Sequence, residues 1–449
     1  MSRPRGLHWQ IAALFGAATL AGCDGASSVS QAAQSPGLAS ASQRAGSRPM
    51  AHYTIVSLGT LGGTIAAGIS IDGDGAVSGL SSLAGDSAFH AALWPAGSTN
   101  GVDLQTLGGV NSAVEWPNHD IHEVVGISQT STADPLGEKW SCSAFIPNTG
   151  TTCLGFVWNS GTMAPLSTFG GNNGFASGAN SRGDVVGWAE NEKHDSSCVP
   201  PQVLQFEAAM WTPDGRIHEL APLAGDRDGA ATGINDRGDV AGISGICQNA
   251  VGALSAKHAV MWHDGVATYL GGLGGAGWNT PTGINNNDEI VGFADRHGDR
   301  HATNPNYHAF LWTQGMGMQD LGTLPGDGLS QAYAVNDSGQ IVGLSCVTAN
   351  CSVTRAFIWQ NGTMTDLNTL VPSGSPYLVF ANDINDNGVI TGLALDQNTG
   401  AVFAFRAIPN DNGSLSLQPT KSRPIPPARL FVKANGPILR IGAFGKIVP

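Results

Sequence analysis

One phrase returns seven times along this 449-residue chain. Its clearest copy reads Tyr307-His308-Ala309-Phe310-Leu311-Trp312, then Met318-Gln319-Asp320-Leu321-Gly322-Thr323-Leu324, then Ala334-Val335-Asn336-Asp337-Ser338-Gly339-Gln340-Ile341-Val342-Gly343. Trp94, Trp158, Trp211, Trp262, Trp312 and Trp359 mark six copies, and Phe403-Ala404-Phe405 marks a seventh, with Ala407 in the Trp slot. Gly79, Gly126, Gly187, Gly242, Gly292, Gly343 and Gly392 hold a second recurring position. A period of roughly 50 residues means one supersecondary unit, unable to bury its own faces, stacked on copies of itself.

Each unit carries four short β patterns; in unit six they fall at 331–335, 340–344, 356–359 and 364–367. Asn180, Asn235, Asn285, Asn336 and Asn385 hold one turn position, and Gly183, Gly238, Gly339 and Gly388 stand three residues on. A Gly there supplies the positive φ of a tight hairpin. Asp72 and Gly75 match this in unit one. Four strands per unit predict an all-β fold, a β-propeller of seven four-stranded blades. A β-solenoid is the rival, but its repeats are usually shorter. Charged residues are only 12% and Gly numbers 62, which excludes a coiled coil or helical bundle. The segment 53–61 matches only the last strand of a unit, and unit seven lacks a strong copy of it. The N-terminal strand is therefore expected to close the ring, with 414–418 as the competing closure.

These repeats resemble the HAF-repeat family of bacterial extracellular proteins. The naming tripeptide stands as His308-Ala309-Phe310, with variants His258-Ala259-Val260, Arg355-Ala356-Phe357 and His90-Ala91-Ala92. The resemblance implies an exported propeller and carries over no catalytic residue. Units two and seven depart most from the pattern.

The chain divides into a signal peptide over 1–22, a flexible Ser/Ala/Gly/Gln-rich tether over 23–51, the repeat body over 52–408 and a basic tail over 409–449. Arg3 and Arg5 precede a short apolar run at 11–20, followed by Leu20-Ala21-Gly22-Cys23. This resembles the bacterial lipoprotein signal, which implies lipidation at Cys23 and a membrane anchor. Six other cysteines suit disulfides in an exported chain. Cys142/Cys153 and Cys346/Cys351 are close enough to close loops; Cys198/Cys247 follows by elimination. The body carries 32 acids against 11 bases, so it repels nucleic acid and anionic lipid surfaces. The tail carries six bases against one acid. In it, runs at 429–434 and 437–441 flank Asn435-Gly436, a hairpin signal that alternates with a loosely ordered tail.

Signals for chemistry are sparse. His119 and His122 break the turn rule of unit two, and Asp295, His297, Asp299 and His301 crowd a loop of unit five. Both sets offer imidazole and carboxylate to a transition metal, yet solvated loops account for them as well. His308 belongs to the repeat. Asp72-Gly73-Asp74-Gly75 resembles a fragment of a calcium loop, but it lies on an ordinary hairpin turn and lacks the later ligands. No catalytic residue, resident metal or cofactor is assigned, with calcium as the one alternative. The expected role is a non-catalytic binding or scaffold module of the cell envelope, recognising a protein or a polysaccharide. The alternatives are a propeller enzyme (glycan hydrolase or lyase) and a purely structural surface component.

Overall fold

The computed structural model describes residues 50–117, 123–138, 142–143, 145–247, 255–297, 306–347, 351, 353–410, 440–441 and 447–448. Unit six shows the repeated design. Leu329–Val335, Ile341–Cys346, Thr354–Gln360 and Thr363–Asp366 form one antiparallel sheet in chain order. Four further four-stranded sheets of the same order begin at Gly108–Ala113, Gly170–Ala179, Asp228–Ile234 and Gly274–Ile284. The fold is a β-propeller.

Units one and seven share an eight-stranded sheet. Tyr53–Ser57 pairs antiparallel with Val402–Pro409, from Tyr53 opposite Pro409 to Ser57 opposite Phe405. The first strand of the body thus completes the last unit. The two halves of the sheet meet at one parallel pair, Ile65 with Val402. Arg406 strengthens that seam. It occupies the aliphatic slot held by Leu311 and Ile358 in other units, and it is 4% exposed. Its guanidinium donates to the carbonyls of Gly75, Trp94, Pro95 and Ser98 at 2.6–2.7 Å, all in unit one.

The recurring second-strand glycine has a steric cause. The inner strand slips register by one residue opposite it, as between Ala332 and Ala334 and between Ala231 and Gly233. This brings an inner-strand carbonyl so close that a Cβ on Gly343 or Gly242 would collide with it. Only glycine leaves room for such a bulge. Aliphatic and aromatic side chains fill the spaces between sheets, with Trp94, Trp188 and Trp262 almost fully buried. The axis is filled too. Trp116, on the segment after the inner strand of unit two, donates its indole N–H to the Thr282 carbonyl of unit five at 2.9 Å. Val114, Trp116, Phe145, Phe175, Tyr333 and Phe380 join one buried cluster.

Register separates two ends of the sheets. At one, the inner hairpin closes, as where Ile234 faces Val240 and Val240 faces Trp262. In units one and three to seven, short inner-hairpin turns occupy this turn end. At the other, Asp228 faces Gly245 and Ser244 faces His258, and the long second-to-third-strand connections emerge. This insertion end holds the three disulfides. Cys142–Cys153, Cys198–Cys247 and Cys346–Cys351 have Cα separations of 5.6, 4.6 and 4.9 Å. Cys198–Cys247 joins unit three to unit four.

In the tail, the described pairing sets Arg440–Ile441 against Ile447–Val448. The expected hairpin flanks at 429–434 and 437–439, Asn435-Gly436 and the alternative closing strand at 414–418 lie outside the described residues.

Candidate functional site

The repeated asparagines do more than shape turns. Each carbonyl oxygen accepts backbone N–H groups of its own turn: Asn336 Oδ1 takes Gln340 N at 2.9 Å, and Asn285 Oδ1 takes Asn287 N and Glu289 N at 3.0 and 2.9 Å. Each amide nitrogen then donates to the next unit. Asn180, Asn235, Asn285 and Asn336 reach the carbonyls of Asn235, Asn285, Asn336 and Asn385 at 2.9–3.2 Å, and Asn385 reaches Asp72 O at 2.6 Å. Only a side chain that both accepts and donates can do this, which explains Asn rather than Asp. The repeat signal for a turn was therefore also a signal for inter-unit bonding.

The following residue builds a second ring. Ser181 N donates to Asp236 Oδ1 at 2.9 Å, Asp236 N to Asn286 Oδ1 at 2.9 Å, Asn286 N to Asp337 Oδ1 at 2.8 Å, and Asp337 N to Asp386 Oδ1 at 2.8 Å. Inside these rings lies a funnel of about 140 Å³ on the axis. Its floor is Ile71, Ile234, Ile284, Val335 and Ile384, the last residues of five inner strands; Asn, Asp and Gly73 form its wall. An aliphatic floor under convergent polar groups is the common form of a small-molecule site.

Outward of the funnel wall stands a charged group. Asp239, its side chain 5% exposed, pairs with Nδ1 of the exposed His263 at 2.5 Å. Arg237 Nε holds the other carboxylate oxygen at 3.2 Å and its guanidinium also pairs with Asp288. The backbone N–H of Asp239 donates to Asn235 Oδ1, the same turn bond that Glu289 and Gln340 make in their units. The hydrogen bond that His263 donates to Asp239, with the carboxylate's negative charge, raises the His263 pKa. His263 Nε2 lies 3.6 Å from Asp264. A buried carboxylate orienting an exposed imidazole is the arrangement of an acid–base catalyst. The sequence reading missed this pair. His263 follows a repeat Trp and Asp239 follows a turn Gly, so both looked like routine turn polarity.

The residues singled out from the sequence fare differently. Cys23, His119, His122, Asp299 and His301 lie outside the described residues. Glu123, which follows the His119–His122 stretch, is at the turn end, where its carboxylate nears Gly183. Asp295 and His297 are at the insertion end, beyond the pairing of Asp295 with Tyr307. Asp295 and His297 therefore lie at the opposite end of the sheets from Glu123. His308 Nδ1 meets Asp320 at 2.8 Å, His90 meets Asp103 at 2.8 Å, and His258 meets Asp226 at 2.6 Å. The repeat histidines thus pair with nearby aspartates inside their own units, and Arg355 does the same with Asp327 and Asp366. Asp72 Oδ1 accepts Asp74 N, Gly75 N and Ala76 N at 2.7–3.0 Å, so its turn uses that oxygen internally. Burial, with the Asp74 carboxyl beside it, pushes Asp72 up to about 7. Among the described residues no three His, Cys, Asp or Glu are grouped to hold a metal ion.

The insertion end buries carboxylates between units two, three and four. Glu138 accepts Val203 N and Leu204 N at 2.9 and 2.7 Å, and Glu190 accepts Asn173 N at 2.8 Å and Gln202 Nε2 at 3.0 Å. Burial, with Asp195 and Glu207 nearby, pushes Asp228 up to about 7. These groups organise loops that share no repeat.

No family model and no curated protein matches the sequence. Solved structures do resemble it in fold. Porphyromonas gingivalis dipeptidyl peptidase 4 gives a TM-score of 0.38 at 11% identity over 76% of this chain and 51% of that one. A puromycin hydrolase gives 0.42 at 12% identity over 81% and 60%. Trypanosoma rangeli sialidase gives 0.36 at 7% identity over 78% and 55%. The chain spans between half and two thirds of their lengths. These neighbours are enzymes, which corrects the expectation that placed a non-catalytic binding or scaffold module first. The likeness is one of fold alone, so any catalytic reading has to rest on this chain's own geometry.

Proposed function

We propose that the chain is an exported propeller enzyme, a hydrolase or lyase acting on envelope glycans, with the turn-end funnel as its substrate seat. The observation that carries this is the funnel itself: a polar wall of amides and carboxylates over an aliphatic floor, with the His263–Asp239 pair in the same unit that supplies Asn235 and Asp236 to the wall. Sugar hydroxyls suit the wall, and the apolar face of a sugar ring suits the floor. His263, held by Asp239, supplies the proton transfer that glycosidic cleavage needs. The reading requires no metal. In the same proposal the ring is seven-bladed, the repeats belong to the HAF type, and lipid on Cys23 anchors the chain to an envelope membrane. The acidic body keeps it from nucleic acid and anionic lipid faces.

The test is incubation of the protein with a panel of envelope and extracellular polysaccharides, scored for new reducing ends and for the ultraviolet absorbance of unsaturated lyase products. Product from at least one glycan is expected. A panel without product overturns the reading. It would favour the structural surface component instead, which the internal hydrogen bonding of the rim carboxylates also suits.

A further inference from the structure

Among the described residues, the second series of bonds breaks off at unit one. Ser181, Asp236, Asn286, Asp337 and Asp386 each follow the turn asparagine of their units, and four of them pass a backbone N–H to the next side chain. At unit one the equivalent residue is Gly73. The other links of the repeat persist there: Asn385 Nδ2 reaches Asp72 O, and Asn387 Nδ2 reaches Gly73 O at 2.9 Å, just as Asn287 Nδ2 reaches Asp337 O at 3.0 Å. Only the acceptor is absent. The Asp386 N–H meets no acceptor among the described residues. Gly73 and Asp386 both line the funnel. A Cβ on Gly73 would meet nothing within 4 Å, so the gap is open space. Gly73 is also outside the positive-φ glycines, so its conformation does not demand glycine.

We propose that this gap is a subsite for a neutral hydroxyl of the substrate, a saccharide hydroxyl that replaces the missing side-chain acceptor. This deepens the reading of the funnel as a glycan seat and rests on it. The hydroxyl oxygen accepts the Asp386 N–H. Its own hydrogen goes to the Asp386 carboxylate, whose Oδ1 already takes Asp337 N. The Asp236, Asp337 and Asp386 carboxylates around the funnel repel an anion there, which selects a hydroxyl over a carboxylate or phosphate. A cation would have no use for the N–H.

The test is site-resolved amide exchange at Asp386, with Asp337 as the internal reference and methyl glucoside as the probe. In the wild type, Asp386 should exchange about tenfold faster than Asp337, and a high concentration of methyl glucoside should slow it. Gly73→Asp supplies the missing acceptor; Asp386 should then match Asp337 and ignore the sugar. Gly73→Ala adds bulk without an acceptor, and its Asp386 amide should stay fast, so a fold disturbed by the larger side chain is recognised. Asp386 as protected as Asp337 in the wild type, or unmoved by methyl glucoside, overturns the subsite. Glycan turnover without an Asp386 response removes the subsite and leaves the enzyme reading standing. An Asp386 response without turnover of any glycan keeps the subsite and removes the enzyme reading.

Discussion

The turn end and the insertion end of this propeller solve one problem in opposite ways. Neighbouring sheets must be held in register at both. At the turn end the same amide does it in unit after unit, donating to the next unit and accepting from its own turn. At the insertion end the long loops add joining groups that do not repeat from unit to unit. The loops there are joined by disulfides and by carboxylates such as Glu138, which reaches from a unit-two loop to backbone N–H groups of unit three. A repeated solution yields a symmetric surface with an axial funnel. A bespoke solution yields loops that differ from unit to unit. Departures from symmetry therefore mean more at the turn end, and Gly73 and Arg406 are the two clearest.

The largest effect is expected from Arg406→Ala, which removes four hydrogen bonds to unit-one carbonyls and opens the seam. The cost should be about 4 kcal/mol, read by denaturant unfolding. At the insertion end, replacing Cys198 and Cys247 by serine removes a crosslink 49 residues apart in sequence. It should cost about 3 kcal/mol, with faster amide exchange confined to the loops of units three and four. Asn336→Ala removes a bond in its own turn and one to Asn385 O. A loss of about 2 kcal/mol is expected, with exchange rising in both units six and seven, since the amide joins them.

A smaller effect is a pH dependence that distinguishes carboxylates from one another. Asp228 rises from 3.8 to about 7 on folding, chiefly because it is buried. The folded chain then holds a proton that the unfolded chain has lost. Its stabilising contribution is complete below the ordinary carboxylate value and is lost as pH rises toward and through about 7. Asp228→Asn should flatten the stability profile between those limits. Asp72 acts in the same direction from the turn end, so a residual slope should survive in that variant.

Much of the fold could be read in advance because it repeats. The four strands of unit six, the turn glycines and the closing role of 53–57 all follow from comparing one unit with another. The same method hid the site. Asn235 and Asn285 were legible as turn residues, but their bonds to the next unit depend on a neighbour that a single unit does not contain. Arg406 could have been found as the one charge in an aliphatic slot. Trp116 could not, because its partner Thr282 lies 166 residues away and its loop has no counterpart in other units. The histidine-rich loop of unit five drew attention by composition, whereas His263 gains its character from Asp239, 24 positions earlier.

That chemistry resides at the turn end is tested by glycan turnover in His263→Ala beside Glu207→Gln, with melting temperature as the control. Glu207 sits at the insertion end, where burial raises its pKa and Asn191 bonds it at 2.5 Å. His263→Ala should lower kcat by at least about 100-fold with an unchanged melting temperature, while Glu207→Gln should keep near-normal turnover. Turnover that survives in His263→Ala and disappears in a folded Glu207→Gln would contradict it and move the active site to the opposite end.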